Sequence, residues 1–230
     1  MLRFSQTPFV CARSTRGDHL WSMIESIAKL RRQKIVWDPD FDKDNTEVFI
    51  LSVDGTDFRV WEPKHPTLPV DKQYCSHKHK KGALRYEIGI SLKTSQVVWL
   101  SGPHPAGQSD LQIWQKEGGL GQRMRKGKMA IADGTYQGSR KLAKPDNGLE
   151  SKELNNFKSR ARLRQETFNG RLKKFEALNQ IFRHSQRKHK FALEAICVIC
   201  QNAMDLGSKQ ALSDLNSRNV FLTFYITIST

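Results

Sequence analysis

The chain has 230 residues, with 38 Lys+Arg against 23 Asp+Glu, a net charge of +15 and a hydrophobic fraction of 38%. That length holds one domain with a good core or at most two small ones, and the charge points to a phosphate-rich partner, with a solvated or ribosome-associated basic surface as the plain alternative. No apolar run approaches the roughly 20 residues of a membrane span, Met1–Arg13 lacks the apolar centre of a secretion signal, and Cys11, Cys75, Cys197 and Cys200 are too scattered for a disulfide framework, so a soluble protein of a reducing, intracellular compartment is expected.

In chain order, residues 1–18 lack periodicity and read as a disordered or truncated tail. Leu20, Ile24, Ile27 and Leu30 recur at helical spacing, which predicts a helix over His19–Arg32 with Asp18 as its N-cap. After a charged loop, the unbroken apolar run Val48–Val53 predicts a strand buried on both faces. Phe58, Val60 and Trp61 prolong it until Pro63 and Pro66 break it. Residues 71–82 form a basic loop. Leu84–Leu92 and Gln96–Leu100 bracket Lys93-Thr94-Ser95, a hairpin pattern. Gly102-Pro103 through Gly107 predicts a turn, and Ser109 can cap a short helix through Gln115. Lys128–Asp133 reads as another strand and Gly134–Gly148 as loop.

The remainder to residue 206 is helical in pattern. Phe168, Leu172, Phe175, Leu178 and Phe182 form one apolar stripe, and Phe191–Met204 is apolar nearly all round. Val220–Ile226 reads as a last strand. The order gives an α/β fold with a mixed central sheet. It divides into a tail and helix over 1–45, a core domain over 46–206 and a tail over 207–230.

Three carboxylates stand out. Asp54 ends the apolar run of the first strand, Asp133 ends Met129–Ala132, and Glu166 sits in a basic helix. An acid at the end of a buried strand is costly to place and hard to explain by packing. The plain readings are an Asp-Gly turn for each Asp and a solvated ion pair for Glu166. Their conjunction in a basic chain points instead to a divalent-metal site facing an anionic polymer. Phosphodiester chemistry uses a metal pair about 4 Å apart. Magnesium keeps several waters, so two or three carboxylates from separate elements suffice. Gly170, one turn from Glu166, leaves room for a phosphate backbone.

Val53-Asp54-Gly55-Thr56, the loop Tyr74–Lys81, Gly102-Pro103 followed by Ser109-Asp110, Ala132-Asp133-Gly134-Thr135-Tyr136 and Arg164–Lys173 occur in one order. That order resembles the DDE nuclease domain of Harbinger-type transposases and their domesticated relatives, over roughly residues 48–205. The resemblance implies an RNase H-like fold and a catalytic, metal-binding triad of Asp54, Asp133 and Glu166 with two Mg²⁺ or Mn²⁺ ions. It gives Asp110 a supporting or DNA-contacting role. It also implies a nuclear, transposon-derived enzyme acting on DNA, with room for a separate DNA-binding partner protein and a homodimer.

The chain departs from the family pattern in places. Asp57 stands where the family has His and competes with Asp54 for the first ligand position. Gln165 and Thr167 flank Glu166 where Arg is common, and no helix-turn-helix precedes the core. Glu153 is an alternative third acid.

Lys78, Lys80, Lys81, Arg160, Arg162, Arg164 and Lys173 are the expected phosphate contacts, with Arg183, Arg187, Lys188 and Lys190 as further basic positions. Cys75-x-His77-x-His79 lacks a fourth zinc ligand nearby. Cys197-x-x-Cys200 lies in an apolar helix and reads as core, as do Trp99 and Trp114. The function expected is metal-dependent DNA cleavage of the transposase type. The alternatives are a catalytically inactive DNA-binding derivative and a basic RNA-associated structural protein.

Overall fold

The computed structural model describes residues 13–37, 47–61, 71–136, 138–144 and 151–205. Its centre is β1 (Phe49–Arg59), which pairs antiparallel with β2 (Ala83–Ser91), from Leu51 opposite Ser91 to Arg59 opposite Ala83. β2 turns through residues 92–96 into β3 (Val97–Pro105), also antiparallel. On the other side of β1 run β4 (Met129–Ile131) and the two-residue β5 (Leu142–Ala143), both parallel. The sheet order is β3-β2-β1-β4-β5. All nine residues of β2 are buried, as a strand flanked by two neighbours and covered on both faces requires.

Helices cover both faces. On one lie α1 (Arg13–Lys29), α2 (Arg31–Lys34), α5 (Lys152–Leu172), α6 (Glu176–Asn179) and α7 (Gln186–Asp205). Leu20, Ile24, Phe168, Leu172, Ile196 and Cys200 pack there against Leu84, Tyr86, Ile88 and Ile90, alternate residues of β2. Arg31 donates to Glu194 (2.6 Å) and to the Leu100 carbonyl, which ties α2 to α7 and β3. His189 is fully buried; burial depresses its imidazole to about 3, and Nδ1 lies 2.9 Å from the Tyr86 hydroxyl. The second core holds Leu51, Val53, Trp114, Leu120 and Met124. It is covered by α3 (Asp110–Gln115) and α4 (Leu120–Arg123). Ser109 and Gln112 close a capping box on α3.

The sheet and its flanking helices form the expected α/β fold, and the hairpin, the Ser109 cap and the buried cysteine helix are as expected. Five local features differ. The stripe Phe168–Phe182, expected as helical, is broken: α5 ends at Leu172, α6 is one short turn, and Phe182 bridges to Val60. Residues 13–18, expected in a tail, belong to α1, so Asp18 lies inside that helix and does not cap it. Gly102–Gly107, expected as a turn, is strand through Pro105. β3 is an edge strand whose pairing shifts between Arg85 and Glu87, so its prolines interrupt no inner ladder. β5 and α4 are too short to leave a periodic signal. Asp54 is in the middle of β1, not at its end. The expected strand at 220–226 lies outside the described residues.

Candidate active site

The site begins with a length mismatch. β4 pairs with β1 only as far as Ile131 opposite Ser52. Beyond that point β1 runs on toward Arg59 with the β4 ladder ended, and a notch opens along its edge. Counting on in the same parallel register brings Asp133 level with Asp54. The notch widens into a cleft of about 590 Å³, lined by residues of β1, the loop after β4, the loop around Lys78, and α5.

Asp54 faces α5, where the Asn169 amide donates to its Oδ2 at 2.6 Å. Its carboxyl is raised to about 7, first by burial and then by the charges of Asp133 and Asp110, with Lys173 opposing. Asp133 Oδ1 accepts from the Thr135 backbone N–H (2.8 Å) and from its hydroxyl. The same hydroxyl lies 3.0 Å from Asp110 Oδ2. Thr135 therefore stands between two carboxylates with one proton to give.

Asp110 enters from the other face, at the first turn of α3. It is 9% exposed, and its carboxyl is raised by burial against the opposing pull of Arg85. Oδ1 has no aligned hydrogen bond, although Arg85 Nη1 is 3.3 Å away. A Cβ on Gly55 would fall 1.9 Å from that oxygen, so only glycine lets α3 bring Asp110 down onto β1.

Asp57, the competitor for the first ligand position, is otherwise engaged. Arg85 grips it with both arms (2.7 and 3.0 Å) and Ser76 donates to Oδ2 at 2.6 Å. Three residues along a strand also put it on the opposite face from Asp54.

Glu166 lies at the cleft rim. Its side chain is 64% exposed and 3.7 Å from Arg162, one helical turn back. Its neighbour Gln165 is the inward residue, accepting from Ser52 (2.9 Å) and donating to the Ile88 carbonyl (3.2 Å). All three expected acids thus line one cleft, with Asp57 and Asp110 beside them. Among the described residues, no three Asp, Glu, His or Cys side chains converge closely enough to hold a metal ion as they stand, and Cys75, His77 and His79 form no such group.

Of the expected phosphate contacts, Lys78, Arg162 and Lys173 line the cleft. Burial and the nearby Lys78 lower the Lys173 ammonium, with Asp54 and Asp57 opposing. Lys80 and Lys81 are exposed on the adjoining loop. Arg160 and Arg164 are on a different depression with Leu92 and Phe157, and Arg164 is tied to the Leu92 carbonyl at 3.2 Å. Sequence reasoning missed Arg85, Thr135 and Asn169. Arg85 carried a signal: the one cation of a strand read as buried needs a buried partner.

No helix among the described residues is long and apolar enough to cross a membrane. No curated protein and no solved structure matched the chain. A family model did, that of the DDE superfamily endonucleases, over residues 53–201, from the residue before Asp54 well into α7. That match spans the notch, α5 and more than half of the sequence, and the chain belongs to the DDE superfamily endonuclease family.

Proposed function

We propose that the cleft cuts DNA phosphodiester bonds with the help of divalent cations, as a transposase-type nuclease does. The observation that carries this reading is that Asp54 and Asp133 line one cleft with Lys78, Arg162 and Lys173, near enough for the charge of Asp133 to act on Asp54. The donors fit a hard cation. Two carboxylates with water completing the shell suit Mg²⁺ or Mn²⁺, and the charge of Asp133 already burdens Asp54, a conflict that a dication would relieve. Asp54 and Asp133 would hold the metal, and Glu166 would join them after turning from Arg162.

Bound there, a pair of such ions would supply Lewis-acid activation of the attacking oxygen and stabilisation of the leaving one. The chain's own groups do the rest. Asn169 and Thr135 fix the two carboxylates in orientation. Lys78, Lys173 and Arg162 hold the phosphates and set the strand in line. Water attack on phosphorus then breaks the P–O bond and releases a strand with a free 3′-hydroxyl. In strand transfer that hydroxyl takes the place of water.

Asp133→Asn tests this. It should abolish Mg²⁺-dependent nicking of supercoiled plasmid while DNA retention at low salt is kept. Equal nicking by variant and parent would refute the reading. One observation favours a second reading, a DNA-binding derivative without catalysis: Glu166 is paired with Arg162 and exposed. Normal DNA affinity without thermal stabilisation by Mn²⁺ would select it. A nuclear location belongs to this proposal through its DNA substrate, and a separate DNA-targeting partner through the resemblance to Harbinger-type transposases.

A further inference from the structure

One buried charge cluster among the described residues is left unused by the proposed chemistry. Asp57, Arg85 and Asp110 are each at least nine-tenths buried and come from β1, β2 and the start of α3. Arg85 uses Nε and Nη2 on Asp57, and Nη1 on the Gln108 carbonyl (2.7 Å) and toward Asp110 Oδ1 (3.3 Å). Ser76 braces Asp57 from behind. A buried ion pair is a poor source of stability, since desolvation offsets the attraction. What this one provides is geometry, because a guanidinium fork gripped on one side presents its remaining edge in one direction.

That edge meets Asp110 above Gly55, the one place where β1 has no side chain in the way. From there Asp110 shares the Thr135 hydroxyl with Asp133 and acts on the charge of Asp54. Asp110 Oδ1 stays on the Arg85 and Gly55 side, which leaves Oδ2 as the oxygen turned toward Thr135 and the other acids.

We propose that Arg85 is a positioning residue of the acid cluster: locked by Asp57 and Ser76, it holds Asp110 against the Thr135 hydroxyl beside Asp133, so that its carboxylate supports a divalent cation held by Asp54 and Asp133. This rests on the reading of the cleft as a metal site. It adds a carboxylate that does not depend on Glu166, and a cation whose work is to aim that carboxylate.

The test is Mn²⁺ binding to the full chain by calorimetry, with four comparisons. Asp133→Asn checks the metal site itself. If the parent binds no Mn²⁺, or this variant binds as tightly as the parent, the proposed function fails whatever Arg85 does. Asp110→Asn should weaken binding at least about tenfold, the scale seen when groups that orient ligands are lost. The paired change Asp57→Leu with Arg85→Met removes both members of the bidentate pair together and leaves Asp110 without its guanidinium. It should also weaken binding about tenfold. Adding Asp110→Asn to that pair should then weaken it by less than about threefold, because the two act through one group.

Arg85→Lys keeps the charge and loses the fork. It carries the same expectation if the paired variant does not fold. Neither variant changes the net charge beside the cluster, so charge alone predicts unchanged Mn²⁺ binding. Unchanged or tighter binding in the Arg85 variants, or an Asp110→Asn effect that adds in full, overturns the proposal.

Discussion

Asp54→Asn should make the metal-free protein more stable at pH 8 and leave it unchanged at pH 4. Asp54 has its carboxyl raised from 3.8 to about 7, by burial first and then by Asp133 and Asp110. A group raised in the folded state is more costly to ionise there than in the unfolded chain. The stability linked to its proton is therefore fully present below about pH 4 and is lost as the pH rises through 7. Linkage sets that loss at about 4 kcal/mol for a fully enclosed carboxyl. Asp54 opens on the cleft, where water screens the two neighbouring charges, so about half of it, ~2 kcal/mol, is expected. For a domain of this size that is a gain of about 4–8 °C in Tm. The asparagine keeps a carbonyl oxygen for the Asn169 amide, so packing does not confound the comparison. Urea denaturation with EDTA, at half-unit steps from pH 4 to 8.5, measures it. A stability gap that does not change with pH, or a variant weaker than the parent at pH 8, would refute the reasoning. Mn²⁺ at pH 8 should close the gap, by stabilising the parent and not the variant.

The other predictions concern what surrounds that carboxylate. Gly55→Ala puts a methyl 1.9 Å from Asp110 Oδ1 and should cost about 1–3 kcal/mol in urea denaturation as α3 is pushed off the sheet. Gln165→Leu strips the bonds to Ser52 and the Ile88 carbonyl from a residue 3% exposed, and should cost about 1–3 kcal/mol, leaving Mn²⁺ affinity as in the parent. Lys78→Gln and Lys173→Gln should each lower the salt slope of duplex DNA binding by about 0.9. Arg164→Gln, on the depression with Leu92, should leave the slope unchanged.

Much of this could be read from residue pattern, because the strongest elements are those that bury most. The run Val48–Val53 announced β1, and the hairpin pattern around Lys93-Thr94-Ser95 announced β2; their apolar residues fill both cores. Ser109 announced α3 through a capping box whose two partners are three residues apart. Illegible elements were those held by tertiary contact alone. β5 is two residues placed by β4. α1 begins six residues before the expected helix, where the sequence shows no apolar period. At the site, the pattern named carboxylates and lysines, since charge in an apolar context is visible in one dimension. It could not tell which acids were already satisfied. Asp57 and Asp110 look as free as Asp54 until Arg85, 28 residues on from Asp57, is seen between them.

The shortness of β4 explains why these acids share one site. On a fully paired sheet, Asp54 and Asp57 would be separated by the sheet itself, and a residue on α3 would share no cleft with one that faces α5. Because the ladder ends at Ser52, the two faces communicate through the notch, and Asp110 above Gly55 acts on Asp54 below. An extra β4 pair would close that window and cover the Asp54 carboxylate. The loop Asp133-Gly134-Thr135 prevents it, for Asp133 folds its carboxylate back onto its own Thr135 N–H, a turn that ends the strand. The residue that stops the strand is the one brought level with Asp54. In this chain, ending β4 and delivering the second acid are one structural event. Asp133→Asn preserves that turn, since an amide oxygen accepts the same bond, and so removes the charge without closing the notch.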